Sequence, residues 1–203
     1  MKTRNLKIVH SALMVGLTLC VAGCGAFLPW THLRSGEYKD NRRGFSAVIP
    51  ADWMRYNMAK NFVMTRDGIT LNRVVVEKGR IDAELEYTKK KFSKDMLPQD
   101  LAELEIDNMR ADANRQFIEV LENRPVKVSG QPAFRLEYTY QTPQGLKYHA
   151  RQYGFLYNDR IYRILYEAAD QHYYRAYLKD FERFMETFCL TEPPKTVRRD
   201  NIE

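Results

Sequence analysis

A thiol preceded by one aliphatic and two small residues, Val21-Ala22-Gly23-Cys24, is the spacing in this chain that points most directly to covalent chemistry. It ends an apolar run, Ile8 to Val21, that is broken by His10, Ser11, Gly16 and Thr18 and preceded by Lys2, Arg4 and Lys7. A positive start, an apolar middle and small residues before a cleavage point are the parts of an export signal. The run is shorter and more mixed than the roughly 20 apolar residues of a membrane-spanning helix. A retained N-terminal anchor helix is the competing reading. Ala22, Gly23 and Cys24 oppose it, because small residues suit a signal peptidase, whose recognition is expected at Val21, Ala22 and Gly23. Residues 1–23 are therefore expected to be a signal peptide.

The remaining reactive residue types form no pattern. Cys20 leaves with the leader, so Cys189 is the only other thiol, no internal disulfide is expected, and Cys189 reads as a small buried hydrophobe. After processing, the histidines are His32, His149 and His172, and none sits in a metal or triad spacing. There is no Gly-rich phosphate loop and no Gly-x-Ser-x-Gly. Glu103 and Asp107, four apart, suggest a cation site only superficially, since hard cations take more oxygen ligands. With Arg110 beside them they read as a solvated helix face. No catalytic residue, cofactor or metal is assigned.

Charge excludes another class. The chain has 32 basic and 26 acidic residues, a net of +6, and half of that excess is the leader's Lys2, Arg4 and Lys7. Nucleic-acid binders carry a clustered basic face. Here Lys89, Lys90, Lys91 and Lys94 do cluster, but on what reads as a solvated helix surface. No nucleic-acid partner is expected.

The positioning elements follow from periodicity. Phe45, Ala47 and Ile49 alternate up to Pro50, giving a strand and a turn, with Trp53 plugging the core edge. Asn61 to Thr65 and Thr70 to Glu77 read as strands around Asp67-Gly68. A helix capped by Asp82 is expected to carry Leu85, Phe92 and Met96. A second runs from Pro98 to 115, with Ala102, Ile106, Met109 and Ala113 at helical spacing. From Phe117 the period becomes two, through Phe117 to Val128, Ala133 to Gln141, Lys147 to Tyr157 and Arg160 to Ala168. Thr142-Pro143-Gln144-Gly145 suits a type I turn and Asn158-Asp159 a tight hairpin. Asp170 is placed to cap a final helix whose stripe is Tyr174, Tyr177, Leu178, Phe181, Phe184, Met185 and Phe188. Residues 24–43 read as a tether with little fixed structure before Glu37, with Trp30 at the lipid headgroups. Residues 44–190 read as one domain, and 191–203 as a disordered polar tail.

Two resemblances add to this. Val21 to Cys24 resembles the lipobox of bacterial lipoproteins. The resemblance implies a lipid on Cys24, palmitate among its chains, and an anchor of more than one chain, each buried methylene contributing about 0.8 kcal/mol. Gly25 in place of Asp implies the outer membrane facing the periplasm; the inner membrane and the cell surface stay open. Three further stretches carry a resemblance to the PsbP-like family, of DcrB type. They are Gly44-Phe45-Ser46-Ala47-Val48-Ile49-Pro50-Ala51-Asp52-Trp53, Val126-Lys127-Val128-Ser129-Gly130-Gln131-Pro132-Ala133, and the closing meander with its aromatic helix up to Phe188. The implied fold class is α+β, an antiparallel sheet with helices on both faces, as a single domain. The family shares no catalytic machinery and its best-known members bind proteins. A non-enzymatic adaptor for an envelope protein, held at the membrane by lipid, is thus the expectation.

Pairing Thr142 with Gly145 and Tyr157 with Arg160 gathers Phe134, Leu136, Tyr138, Tyr140, His149, Arg151, Tyr153, Phe155, Tyr157, Tyr162, Ile164 and Tyr166 on one sheet face. A one-residue bulge would move the first strand to the other face. In this register Arg151 and His149 grip an acidic group of a partner or ligand, and Tyr138 and Tyr166 line the cleft. The alternatives are a carrier or sensor of a small apolar or anionic ligand on that aromatic face, and a plain core satisfied at its rim.

Overall fold

The computed structural model describes residues 28–191. The expected signal peptide over 1–23, Cys24 and residues 192–203 lie outside the described residues. An eight-stranded antiparallel sheet organises the molecule. In chain order its strands are β1 (Trp30–His32), β4 (Met54–Tyr56), β5 (Phe62–Thr65), β6 (Asn72–Arg80), β7 (Gln116–Val128), β8 (Gln131–Gln141), β9 (Lys147–Tyr157) and β10 (Arg160–Ala169). The spatial order is β1-β4-β5-β6-β10-β9-β8-β7. A second sheet has the order β11-β3-β2, from β2 (Gly36–Asp40), β3 (Phe45–Ile49) and β11 (Cys189–Leu190). Two helices complete the fold, α1 (Pro98–Arg110) and α2 (Tyr173–Thr187). Among the described residues no helix is long and apolar enough to cross a membrane.

Alternation along β10 divides the core in two. Tyr162, Ile164, Tyr166 and Ala168 join one cluster with Tyr174, Phe181 and Phe184 of α2 and with Phe45, Ile49 and Trp53. Ile161 joins a second cluster with Leu101, Ala102 and Met109 of α1 and with Phe134, Leu136 and Tyr138. Trp53 is fully buried and its indole N–H donates to Asp180 Oδ2 at 3.1 Å, so the plug expected from the sequence also ties β3's turn to α2.

The turns set the register. Asn158 and Asp159 both hold left-handed backbone, φ 51° and 59°, as a type I′ hairpin needs. Tyr157 pairs with Arg160 as expected. The other hairpin differs. Gly145 N–H donates to Thr142 O, giving the expected turn, but Gly145 is left-handed (φ 83°) and Thr142 N–H donates to Leu146 O. A type I turn followed by a left-handed residue is a three-residue loop with a bulge. The pair is therefore Gln141 with Lys147, one residue off the expected register. β8 rotates its alternate side chains to the opposite face.

Four further expectations are corrected. No helix forms over 82–96. Leu85 and Phe92 are buried, but on an irregular segment in which Lys89 is left-handed (φ 58°) and Leu85 N–H donates to Lys90 O. Two or three apolar residues in fifteen make no continuous stripe, and adjacent lysines repel. The stretch before Glu37 is not bare tether: β1 pairs with β4, and Trp30 stacks on Tyr56 with ring centroids 4.7 Å apart. Cys189 is exposed, because α2 stops at Thr187 and the extended Phe188 turns the next residue outward. Asp170 does not cap α2: the N-cap position is His172, without a side-chain cap, and Asp170 instead faces Lys147 and His149.

Candidate functional site

Arg151 and Glu137 are direct cross-strand partners on β9 and β8, and the bulged register puts both on the α2 side of the sheet. The guanidinium donates to Glu137 Oε2 from Nε (3.0 Å) and Nη2 (2.7 Å), and from Nη1 to Glu182 Oε1 of α2 (2.7 Å). The other Glu137 oxygen, Oε1, lies 2.9 Å from His149 Nε2 and accepts from the Tyr174 hydroxyl at 3.0 Å. Arg135 Nη2 bridges Glu137 Oε2 (3.4 Å) and Glu122 (2.7 Å). His149 Nδ1 is 3.4 Å from Asp170, and its ring lies flat on Tyr174, centroids 3.5 Å apart. One carboxylate thus collects four cationic or polar groups from two strands and the helix that covers them.

The electrostatics follow from that geometry. Burial alone pushes the Glu137 carboxyl up, but hydrogen bonds and charge from Arg151, with Tyr174 and His149, outweigh it and hold the group below its ordinary value. His149 moves down as well. Its burial disfavours the imidazolium more than Glu137 and Asp170 favour it. Near pH 7 the site therefore holds an ionised Glu137 and a neutral His149.

The acidic group that the sequence expectation assigned to a partner is here the chain's own. Three of the four expected binding residues do share a face: His149, Arg151 and Tyr166. Tyr166 is fully buried, its hydroxyl close to the carbonyls of Tyr173 (2.9 Å) and Tyr174 (3.0 Å), where it locks the start of α2. Tyr138 is a correction. It lies on the opposite face, fully buried, where its hydroxyl accepts from Arg115 at 3.0 Å, and burial pushes it up to about 12. The one-residue bulge at Gly145 is the cause. Nor is the aromatic face open: Phe181 stacks against Tyr166 (5.1 Å) and Tyr153 packs on Phe181. Sequence reasoning missed Glu137, Tyr174, Asp170 and Glu182. Glu137 was legible only once the bulge was placed.

Glu103 is exposed and Asp107 pairs with Lys90 at 2.8 Å, so that expected solvated face is a surface ion pair. Among the described residues no group of three His, Cys, Asp or Glu is placed to hold a metal. Val21, Ala22, Gly23 and Cys24 lie outside the described residues.

A mostly antiparallel sheet with two helices, folded as one domain, is the PsbP/Mog1-like α+β fold. A cyanobacterial PsbP, CyanoP from Synechocystis, is similar over 82% of this chain and 95% of its own, at 15% identity and a TM-score of 0.52. The Ran-binding protein Mog1p of Saccharomyces cerevisiae matches over 79% of this chain and 97% of its own, at 8% identity and a TM-score of 0.55. A Bacteroides thetaiotaomicron protein matches over 81% of this chain at 12% identity and a TM-score of 0.51, but this chain covers only 52% of it. These likenesses show the fold. No curated protein matches the sequence. Residues 37–190 match the model of the family described as the serine/threonine kinase C-terminal domain, and the chain belongs to that family.

Proposed function

We propose that this protein is a non-catalytic docking module, held at the cell envelope by lipid on Cys24, that binds another envelope protein. The observation that carries this reading is the edge position of β7, which pairs on one side only among the described residues. β7 is the last strand of its sheet. Its C-terminal half bears Arg124, Pro125 and Lys127, which guard an edge against unwanted pairing. Its N-terminal half carries Phe117, 78% exposed, and Leu121, 49% exposed, at two register shifts. Phe117 also holds left-handed backbone, φ 52°. A solvent-facing aromatic in a strained conformation has two unfavourable features that a passive surface does not need. Extended segments add to such edges through main-chain hydrogen bonds, with side-chain pockets setting specificity.

The family description supports an accessory role, since it names a C-terminal domain of kinases and this sequence has no phosphate loop. The two core clusters, on alternate faces of β10, support a sheet covered on both sides, by α2 and the small sheet on one and by α1 with 81–97 on the other. The lipobox resemblance supports placement at the outer membrane, facing the periplasm. The test is in-cell crosslinking of the full-length lipoprotein beside Cys24→Ala and Phe117→Ser forms. One dominant envelope protein, lost in both variants, is expected. Equal recovery by the Phe117→Ser form would remove the edge from the reading, and no partner in any form would end it.

A further inference from the structure

The corner of the sheet where the described chain begins is apolar, aromatic and exposed. Leu28 is 66% exposed and Met58 61%, which places both among the four most exposed large apolar side chains of the described residues. Asn57 brings them together. Its backbone N–H donates to Pro29 O at 2.8 Å, and its side-chain amide donates to Leu28 O at 3.0 Å and to Thr31 Oγ1 at 2.7 Å. Beside them the stacked Trp30 and Tyr56, direct partners on β1 and β4, are only half-buried. Exposed aliphatic side chains next to a Trp–Tyr pair make up the composition of a membrane–water boundary, where such rings take the headgroup level.

Charge and chain length say what covers this corner. Arg43 Nη2 donates to the Lys60 carbonyl, so the turn that carries Arg42 lies against the 57–61 loop. Arg42 and Lys60 are both exposed, and basic residues beside an apolar patch suit anionic headgroups. Leu28 follows Cys24 by four residues, a reach of at most about 14 Å for extended chain. With lipid on Cys24, the corner cannot stand farther than that from the bilayer surface.

We propose that this corner rests on the bilayer, with Leu28, Met58 and the Trp30–Tyr56 pair at the headgroup level and Arg42 and Lys60 against anionic phospholipid. Its reach rests on the Cys24 lipid of the docking reading, and its consequence is an orientation. β1 and β7 are the two ends of the eight-stranded sheet. Seven strand spacings hold them roughly 30 Å apart. A domain seated on its β1 corner presents the β7 edge away from the membrane, toward a partner.

Tryptophan fluorescence reads the contact. The chain has two tryptophans and Trp53 is fully buried, so Trp30 reports on this corner. The full chain, expressed with its leader and purified from membranes, is mixed with vesicles of phosphatidylglycerol and brominated phosphatidylcholine. The bromolipid is expected to quench Trp30, and Met58→Asp, at an exposed position, is expected to cut that quenching about 2-fold or more. Replacing the phosphatidylglycerol by phosphatidylcholine is expected to weaken it; quenching that ignores the change removes Arg42 and Lys60 from the contact. Intact mass decides separately whether Cys24 carries lipid. A lipidated protein whose Trp30 is not quenched, or is quenched equally in Met58→Asp, overturns the seating and leaves the anchor standing. An unlipidated protein whose Trp30 is quenched removes the anchor and leaves the membrane-binding corner standing. Neither lipid nor quenching ends both. Crosslinking of an envelope protein through position 58, with Trp30 unquenched, assigns the corner to a protein partner and overturns the lipid contact.

Discussion

Replacing Glu137 by Gln tests the charge network and the pH behaviour that follows from it. Glutamine keeps the size of the side chain but turns one end of it into a donor. That end then faces the Arg151 fork, the Tyr174 hydroxyl and His149, which now donate to Glu137 at 2.7–3.0 Å or lie within that reach. Arg151 is only 7% exposed, so its lost partner is not replaced by bulk water. Glu182 remains beside it, but is 46% exposed and holds one nitrogen only. Breaking a buried pair costs about 3–5 kcal/mol; the surviving Glu182 contact brings the expected loss at pH 7.5 to about 2–4 kcal/mol. Glu182→Gln, which removes the exposed half of the same pair, is expected to cost about 0.5 kcal/mol.

Urea titrations at several pH values separate the two linked groups. Glu137 is depressed in the folded protein, so its contribution is present above its unfolded value and is lost as pH falls through the lower folded value. His149 is also depressed, so below about 6.5 the unfolded chain takes up its proton first and stability falls with pH. In Glu137→Gln the carboxylate loss disappears. The attraction that partly offsets the burial of His149 disappears with it, and its folded value drops further. The variant should therefore lose more stability than the wild type between pH 7.5 and 5.5, and less below about 4.5. A loss under about 0.5 kcal/mol at pH 7.5, or parallel pH profiles, would refute the reasoning.

Two further outcomes are expected. A Cβ at Gly154 would fall inside contact distance of the Phe134 ring edge across the strand pair, so Gly154→Ala should cost about 2–3 kcal/mol in denaturant; in a Phe134→Leu background its increment should fall below about 1 kcal/mol, and an unchanged increment would show that the ring is not the obstacle. Cys189 is exposed and unpaired by disulfide, so a thiol reagent should label it in the native state without waiting for unfolding, and Cys189→Ser should move stability by less than about 0.5 kcal/mol; labelling at the unfolding rate would contradict its placement.

Much of the fold was legible because period and turn chemistry agreed. The closing strands alternate cleanly, Asn158-Asp159 alone separates β9 from β10, and one apolar stripe defines α2. The segment 82–96 was not legible, since Leu85 and Phe92 are buried by tertiary contacts and not by a helical stripe. Glu105 was hidden by its own type: its spacing, three after Ala102 and four before Met109, is that of a core position. A carboxylate there reads as solvated until Arg163 is found opposite it, 58 residues away.

The candidate site turned on a smaller thing than side-chain type. Tyr138, Arg151, His149 and Tyr166 were each assigned the correct strand, yet one left-handed glycine at 145 decides which of them meet. With the loop one residue shorter, Tyr138 would lie opposite His149 on the face of Arg151, and Glu137 would face α1. With the bulge, Glu137 neutralises Arg151 under α2, and Tyr138 turns to Arg115 on the α1 side. In an antiparallel meander the choice of face is binary, so a turn residue with no chemistry of its own determines which charges are sealed inside the protein and which remain to meet something else.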